Sequence, residues 1–370
     1  MIRIPVARPR MPKADALLPY LRLIDDHRSY TNFGPLVARL EARLAARLDI
    51  EPACVTTVSN ATAGLTLALQ SVAGTRSGVC LIPSWTFVAT AHAVTAAGFT
   101  PFLVDVDEAS WALTPAIALE AVGRIDGPVA AVLPVAPFGA PMDVAGWDRF
   151  TLLTGIPVVV DAAAGHDAVG VGDTPCVVSL HATKILGAGE GGYVVCRRPD
   201  LIVEIRKRSN FGFYGARDAQ VAACNAKMSE YHAAVGLASM DAYAEDMARF
   251  RAVAQVYREH MAGRIDMAFQ PGFGQQWCGS VCVARFPGRH GARIAALLRE
   301  AGVDSRAWWG EGVHRQAAFA DIPRLPLLAT GLLARETLGL PYYVDMAEED
   351  VLRVCDLVAA IGGPSLRRAA

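Results

Sequence analysis

Between residues 36 and 200, short apolar runs alternate with helical repeats, and this alternation limits the fold more than any other feature of the chain. Leu36, Leu40, Leu44 and Leu48 recur at every fourth position and so line one face of a helix. Next come a strand at Cys54–Val58, a helix at Thr62–Ala73, a strand at Val79–Ile82, a helix at Phe87–Ala97 and a strand at Thr100–Val106. A helical stretch at Pro115–Val122 leads to further strands at Val129–Val135, Ile156–Val160, Cys176–Leu180 and Tyr193–Cys196. The 129–135 and 156–160 runs are apolar throughout, as strands covered on both faces must be. The pattern predicts an α/β fold, a mostly parallel central sheet sandwiched by helices.

Beyond residue 240 the texture changes to that of a smaller α+β unit. Met247–Met261 and Ala292–Ala301 have helical spacing, Gly279–Phe286 reads as a strand and Glu348–Ile361 as a closing helix. A chain of 370 residues is long for one core, so we divide it into a large domain, 1–240, and a small one, 241–370. Hydrophobic residues make up 53% and charged residues 19%, which suits a large buried sheet plus a subunit interface. The net charge of −1, with no basic run, argues against nucleic-acid binding. The eight cysteines are scattered without a C-x-x-C pair, which points to free thiols in a reducing compartment and to no metal site. No apolar run reaches the ~18 residues of a membrane span, and the N-terminus lacks a signal-peptide core. The expectation is a cytoplasmic protein with no membrane partner.

In parallel sheets, ligands bind outside the carboxyl ends of the strands. Asp161 and the turns Ser59–Thr62 and Pro83–Phe87 each follow a strand, so they should share one rim. Ser59-Asn-Ala-Thr62 opens a helix whose free N–H groups and positive end suit a phosphate dianion, although such residues also cap helices routinely. A carboxylate at a strand end, as Asp161 is, can hold a pyridine nitrogen protonated; a cap or a salt bridge is the alternative. Lys184 lies in a loop between apolar strands, ahead of a glycine-rich stretch whose Gly191-Gly192 permit close backbone approach. A desolvated lysine there can hold an aldehyde as a Schiff base, where an ordinary loop lysine would be solvated. Lysine, aspartate and phosphate turn together point to pyridoxal 5'-phosphate (PLP).

The ordered motifs NAT (60–62), PSWTF (83–87), VDAAA (160–164), SLHATK (179–184), GEGG (189–192) and NAKMSEYHAAVGL (225–237) resemble the DegT/StrS-like nucleotide-sugar aminotransferases of PLP fold type I. Tyr30-Thr-Asn-Phe-Gly-Pro35 and Leu340-Pro341 match as well, so the resemblance spans nearly the whole chain. It implies that Lys184 carries the cofactor and shuttles the proton, and that Asp161 pairs with the pyridine nitrogen. Ala61, Thr62 and Ser179 would bind the phosphate, and Phe87 would stack on the ring, with Trp85 as its rival. Asn225 would reach the phosphate of a partner subunit, making a homodimer with shared sites. Tyr30, Asn32, His181 and His314 would approach the substrate; for His181 a structural role is equally open. Trp308 and Trp309 read as packing in the small domain for at least one of the pair.

The implied reaction moves an amino group from glutamate to a ketone of a nucleotide-linked deoxysugar, with 4-keto-6-deoxy sugars favoured by the HATK…GEGG loop. The sequence departs from the family at Ala164, where Gln or His is usual, and in Pro134–Gly139, which lacks a frequent His. His166 stands two residues beyond Ala164 as a possible substitute. Two readings stay open beside the first: the same transamination on a cyclitol or other secondary-metabolite ketone, and a PLP-binding regulatory protein with impaired catalysis. A related sugar dehydratase would carry His in place of Lys184.

Overall fold

A computed structural model of the chain describes residues 3–362. The first part runs α1 (Ala14–His27), α2 (Pro35–Arg47), β1 (Val55–Val58), α3 (Ala61–Ala73), β2 (Val79–Pro83), α4 (Val88–Ala96) and β3 (Thr100–Val104). It continues through α5 (Pro115–Val122), β4 (Val129–Val132), α6 (Val144–Thr154), β5 (Val160–Asp161), β6 (Cys176–Ser179), β7 (Gly192–Val195) and α7 (Pro199–Ser209). The remainder is α8 (Glu230–Met261), β8 (Ala268–Phe269), β9 (Cys282–Arg285), α9 (Gly291–Glu300), α10 (Leu328–Glu336), β10 (Thr337–Leu340) and α11 (Glu348–Gly362).

Strands β3-β2-β4 pair in parallel, and β5-β6-β7-β1 form a second group. Parallel bridges Val132↔Val158 and Val135↔Asp161 join the groups into one sheet. Only β7 runs against its neighbours β6 and β1. The carboxyl ends of β1 to β6 therefore face one rim, and β7 enters from that rim at Gly192. Two expected strands are shortened by proline. Pro134 ends the 129–135 run and Pro157 delays the ladder of β5, because proline offers no N–H to a neighbouring strand.

The two faces of the sheet read directly from side-chain alternation. Val178 and Tyr193 pack with Leu40, Leu44 and Leu237 of α2 and α8, whereas Val177 and Val194 pack with Leu65, Ala68 and Ile202 of α3 and α7. A separate core gathers β9, β10, α9, α11 and the second half of α8. Helix α8 is one element of 32 residues, with Leu237 in the first core and Tyr257 in the third. The change of texture at residue 240 therefore falls inside a helix, whose alanine-rich first half carries too weak a stripe to read. Ile4 also packs with the C-terminal core, far from its neighbours in sequence.

Helices α1, α6, α7 and α10 were not anticipated; α6 is marked only by its cap, Asp143, whose Oδ1 accepts the Gly146 N–H at 2.8 Å. The cysteines are all free, with Cys224 exposed and the other seven buried. Among the described residues no helix is long and apolar enough to cross a membrane, and no His/Cys/Asp/Glu cluster could hold a metal.

Candidate active site

The turn expected to hold a phosphate is built by the start of α3. Asn60 caps the helix, accepting the Ala63 N–H at 2.9 Å, while its own carbonyl accepts from Gly64. The N–H groups of Ala61 and Thr62 are left without a protein partner among the described residues, at the positive end of the helix. Gly192 makes room for this turn. A Cβ there would stand 2.9 Å from Ala61 N and 2.9 Å from Val178 O, so only glycine lets β7 enter so close to it.

Asp161 ends β5 and is buried. Thr90 of α4 donates its hydroxyl to Asp161 Oδ2 at 2.8 Å, the Ala163 N–H donates to Oδ1 at 3.1 Å, and Thr86 pairs with Thr90 at 2.8 Å. Burial pushes the Asp161 carboxyl above the usual carboxylate range, while these two hydrogen bonds and the charge of Lys184 pull it back. Thr86 and Thr90 were missed from the sequence. Their one signal is a pair of hydroxyls a helical turn apart, a spacing far too common to single them out.

Lys184 follows a tight turn in which its N–H donates to the His181 carbonyl at 2.8 Å. Burial lowers its ammonium below the usual lysine value, and Asp161 opposes this through charge attraction. Among the described residues no carboxylate lies within ion-pair distance of Lys184, so lysine and aspartate face one site without closing it. Ser179 ends β6, its hydroxyl accepting the His181 N–H at 3.2 Å. Phe87 caps α4 with its ring 57% exposed, whereas Trp85 is only 2% exposed, edge-on to Phe138 and Trp309. Of the two aromatics, Phe87 alone is free to stack on a ligand.

The other expected residues lie at four places. His314 is on the rim: its Nδ1 lies 2.8 Å from the Ser84 hydroxyl, and burial, then Arg324 and Arg315, lower its pKa. His181 holds the lysine turn, with Nδ1 accepting from the Thr183 N–H at 3.2 Å and Nε2 3.7 Å from Glu190. Tyr30 and Asn32 are exposed, and Tyr30 stacks on Tyr231 with ring centroids 6.4 Å apart. The Glu230 carboxylate holds that segment by accepting the Leu36 and Val37 N–H groups. Asn225 is exposed, and its neighbour Ala226 accepts the Ser59 N–H at 2.7 Å, next to the phosphate turn.

His166 does not replace a polar group at Ala164. It is buried in the core, 3.1 Å from the Tyr193 hydroxyl and edge-on to Tyr243, and burial and Arg47 hold its pKa well below the usual value. Beside Ala164 the rim is apolar. The Phe138-Gly139 turn packs onto the Ala164 carbonyl, and Trp309 stacks on Phe138 with centroids 3.9 Å apart. Trp308 packs against Gly339 in the C-terminal unit, as expected of one of the pair, while Trp309 faces the PSWTF turn.

Two free helix N–H groups, a carboxylate braced by two donors, a desolvated lysine and an exposed ring around one rim fit PLP. Sheet and rim together define a PLP-dependent aminotransferase. Residues 14–359 match the model of the DegT/DnrJ/EryC1/StrS aminotransferase family, and the chain belongs to that family. It is similar to a putative PLP-dependent aminotransferase from Bacillus cereus (27% identity, TM-score 0.90, 96% of this chain and 99% of that one). It is also similar to DesI, solved with its TDP-sugar product (31% identity, TM-score 0.87, 98% and 94%). A third relative is the dTDP-4-amino-4,6-dideoxy-D-glucose transaminase of Escherichia coli (26% identity, 96% and 98%).

Proposed function

We propose that this aminotransferase takes an amino group from glutamate and passes it to the 4-keto group of a nucleotide-linked 6-deoxysugar, within amino-sugar biosynthesis in the cytoplasm. The observation that carries the reading is the Lys184–Asp161 pair, electrostatically coupled across a rim that also holds the open end of α3.

Ala61, Thr62 and Ser179 would hold the phosphate, Phe87 would lie against the ring, and Asp161 would favour a protonated pyridine nitrogen. PLP bound there supplies an electron sink for the charge that develops when a proton leaves the donor carbon. Thr90 and the Ala163 N–H hold the Asp161 carboxylate in place and favour its ionised form against the cost of burial. Desolvation favours the neutral form of Lys184, the form whose Nζ can attack a carbonyl and afterwards accept and return a proton. The same lysine serves both half-reactions.

The acceptor assignment draws on the apolar rim beside Ala164 and on the names of two relatives, one acting at the 4-amino position of a 4,6-dideoxy sugar and one solved with a TDP-sugar product. Trp309, partly buried and backed by the Phe138 ring stacked beneath it, offers aromatic surface to the methyl end of a 6-deoxy ring. A homodimer with shared sites, Asn225 reaching across, accords with the exposed Tyr30, Phe87, Phe211, Tyr214 and Tyr231.

The test is incubation with glutamate and a dTDP-4-keto-6-deoxyhexose, reading the product by mass. A gain of the amine on the sugar, lost in Lys184→Ala, supports the reading; transamination by Lys184→Ala, or amination of cyclitol ketones alone, sinks it.

A further inference from the structure

The N-terminal segment forms a strap across the molecule. Ile4 bridges Val303, and the Tyr342 N–H donates to the Val6 carbonyl at 3.0 Å, both in the C-terminal unit. Arg8 pairs with Asp345, and Arg10 lies 3.1 Å from Asp246 of α8. Met11 then reaches the lysine loop, packed so closely that a Cβ on Gly187 would stand 2.9 Å from its sulfur. The strap is thus fixed at both ends, and its middle lies over the Lys184 loop.

Between strap and loop lies a cavity of about 30 Å³ whose lining is largely apolar and aromatic but includes Arg8, Arg10, Thr183, Lys184, Asp246 and Ser280. A water needs roughly 10–15 Å³ on this measure, so the space suits one carboxylate group and not a whole amino acid. The two arginines are not equivalent. Asp246 Oδ1 is buried and has no hydrogen-bond partner, which leaves Arg10 committed to neutralising it. The Arg8 guanidinium is 58% exposed and its partner Asp345 39% exposed. A pair that open to water contributes little, so a carboxylate entering the cavity can exchange with Asp345. The planar guanidinium fork would then hold it by two charge-assisted hydrogen bonds.

We propose that this cavity is the subsite for a carboxylate of the amino donor, with Arg8 as its anchor, released from Asp345 when the donor binds. The proposal rests on the glutamate reading above and deepens it. A transferred amine must start beside Lys184 Nζ, and a carboxylate held through a strap tied to both units places it there. The entering group competes with one carboxylate, Asp345, and faces another, Asp246, so net attraction depends on Arg8.

The test uses the holoenzyme and glutarate, an unreactive dicarboxylate, with affinity read by calorimetry. Arg8→Ala should raise the glutarate Kd by about tenfold or more, and Arg8→Lys should restore part of the loss. Asp345→Asn, which frees Arg8, should leave glutarate binding as tight or tighter. The idea is overturned if Arg8→Ala binds glutarate as the wild type does. It is equally overturned if Asp345→Asn weakens binding as much as Arg8→Ala, since the pair would then be only a latch. Glutamate titrations of the cofactor absorbance separate this from the wider reading. Failure of the wild type to bleach overturns the glutamate assignment, whereas equal bleaching of wild type and Arg8→Ala overturns the subsite alone.

Discussion

Replacing Thr90 with valine removes one hydroxyl from behind Asp161, and with it the bond that this hydroxyl shares with Thr86. Thr90 is fully buried, Thr86 2% exposed and Asp161 5% exposed, so no bulk water can replace the missing donor. The bond lost to the carboxylate is the 2.8 Å contact from Thr90 to Asp161 Oδ2. A hydrogen bond to a charged group contributes about 1.5–3 kcal/mol. Only the ionised carboxylate pairs with a pyridinium, so that loss should appear as a PLP affinity weakened by about 10- to 150-fold. The sign with pH follows. The Thr90 bond pulls the Asp161 carboxyl down against burial, so the variant's carboxyl sits higher still, and its affinity deficit should shrink as pH rises. Titrating the apoprotein with PLP, followed by quenching of tryptophan fluorescence, measures this directly. Thr90→Ser keeps the hydroxyl and should stay near wild type. A Thr90→Val protein with wild-type affinity across the pH range would refute the claim that this hydroxyl holds the carboxylate ionised.

Three further outcomes follow from the same geometry. Gly192→Ala sets a Cβ against the backbone of Ala61 and Val178, which cannot swing aside, so it should lower both PLP affinity and the unfolding free energy from urea titration, the latter by about 1–3 kcal/mol; unchanged values for both would remove the close-approach argument. In the apoprotein the raised Asp161 carboxyl contributes stability below its unfolded value that is lost as pH rises through its folded value. Asp161→Asn should therefore melt progressively higher than wild type as pH rises while binding PLP far more weakly, and a pH-independent difference in melting counts against it. His166, held well below its usual pKa by burial, favours the fold above its unfolded value near 6.5 and costs stability as pH falls. His166→Phe should flatten that acid-side loss, read by melting temperature between about pH 7 and 5.5, with catalysis retained; lost activity at full stability would give His166 a role in the chemistry.

Much of the sheet was legible because its signals are local. Valine runs announce strands covered on both faces, a four-residue leucine repeat announces α2, and Asn60 announces the start of α3. The places where reading failed have physical causes of their own. Proline shortened two strands without altering their apolar pattern, and the alanine-rich start of α8 has too even a composition to mark a face. His166 was ambiguous since nothing nearby in sequence says that Tyr193 and Tyr243 will enclose it.

By itself the sequence determined the alternating elements, the turn that opens α3, the aspartate at a strand end and the lysine in the loop after β6, because each depends on residues within a turn or a strand of one another. Tertiary structure alone decided the reversed β7, the choice of Phe87 over Trp85 as the free ring, and the apolar rim made by Phe138 and Trp309. It also decided the long-range contacts. Thr90 meets Asp161 across 71 residues of chain and Arg8 meets Asp345 across 337. Such pairings leave no periodicity to read, since they exist only once a right-handed succession of strands and helices has brought distant segments to one rim.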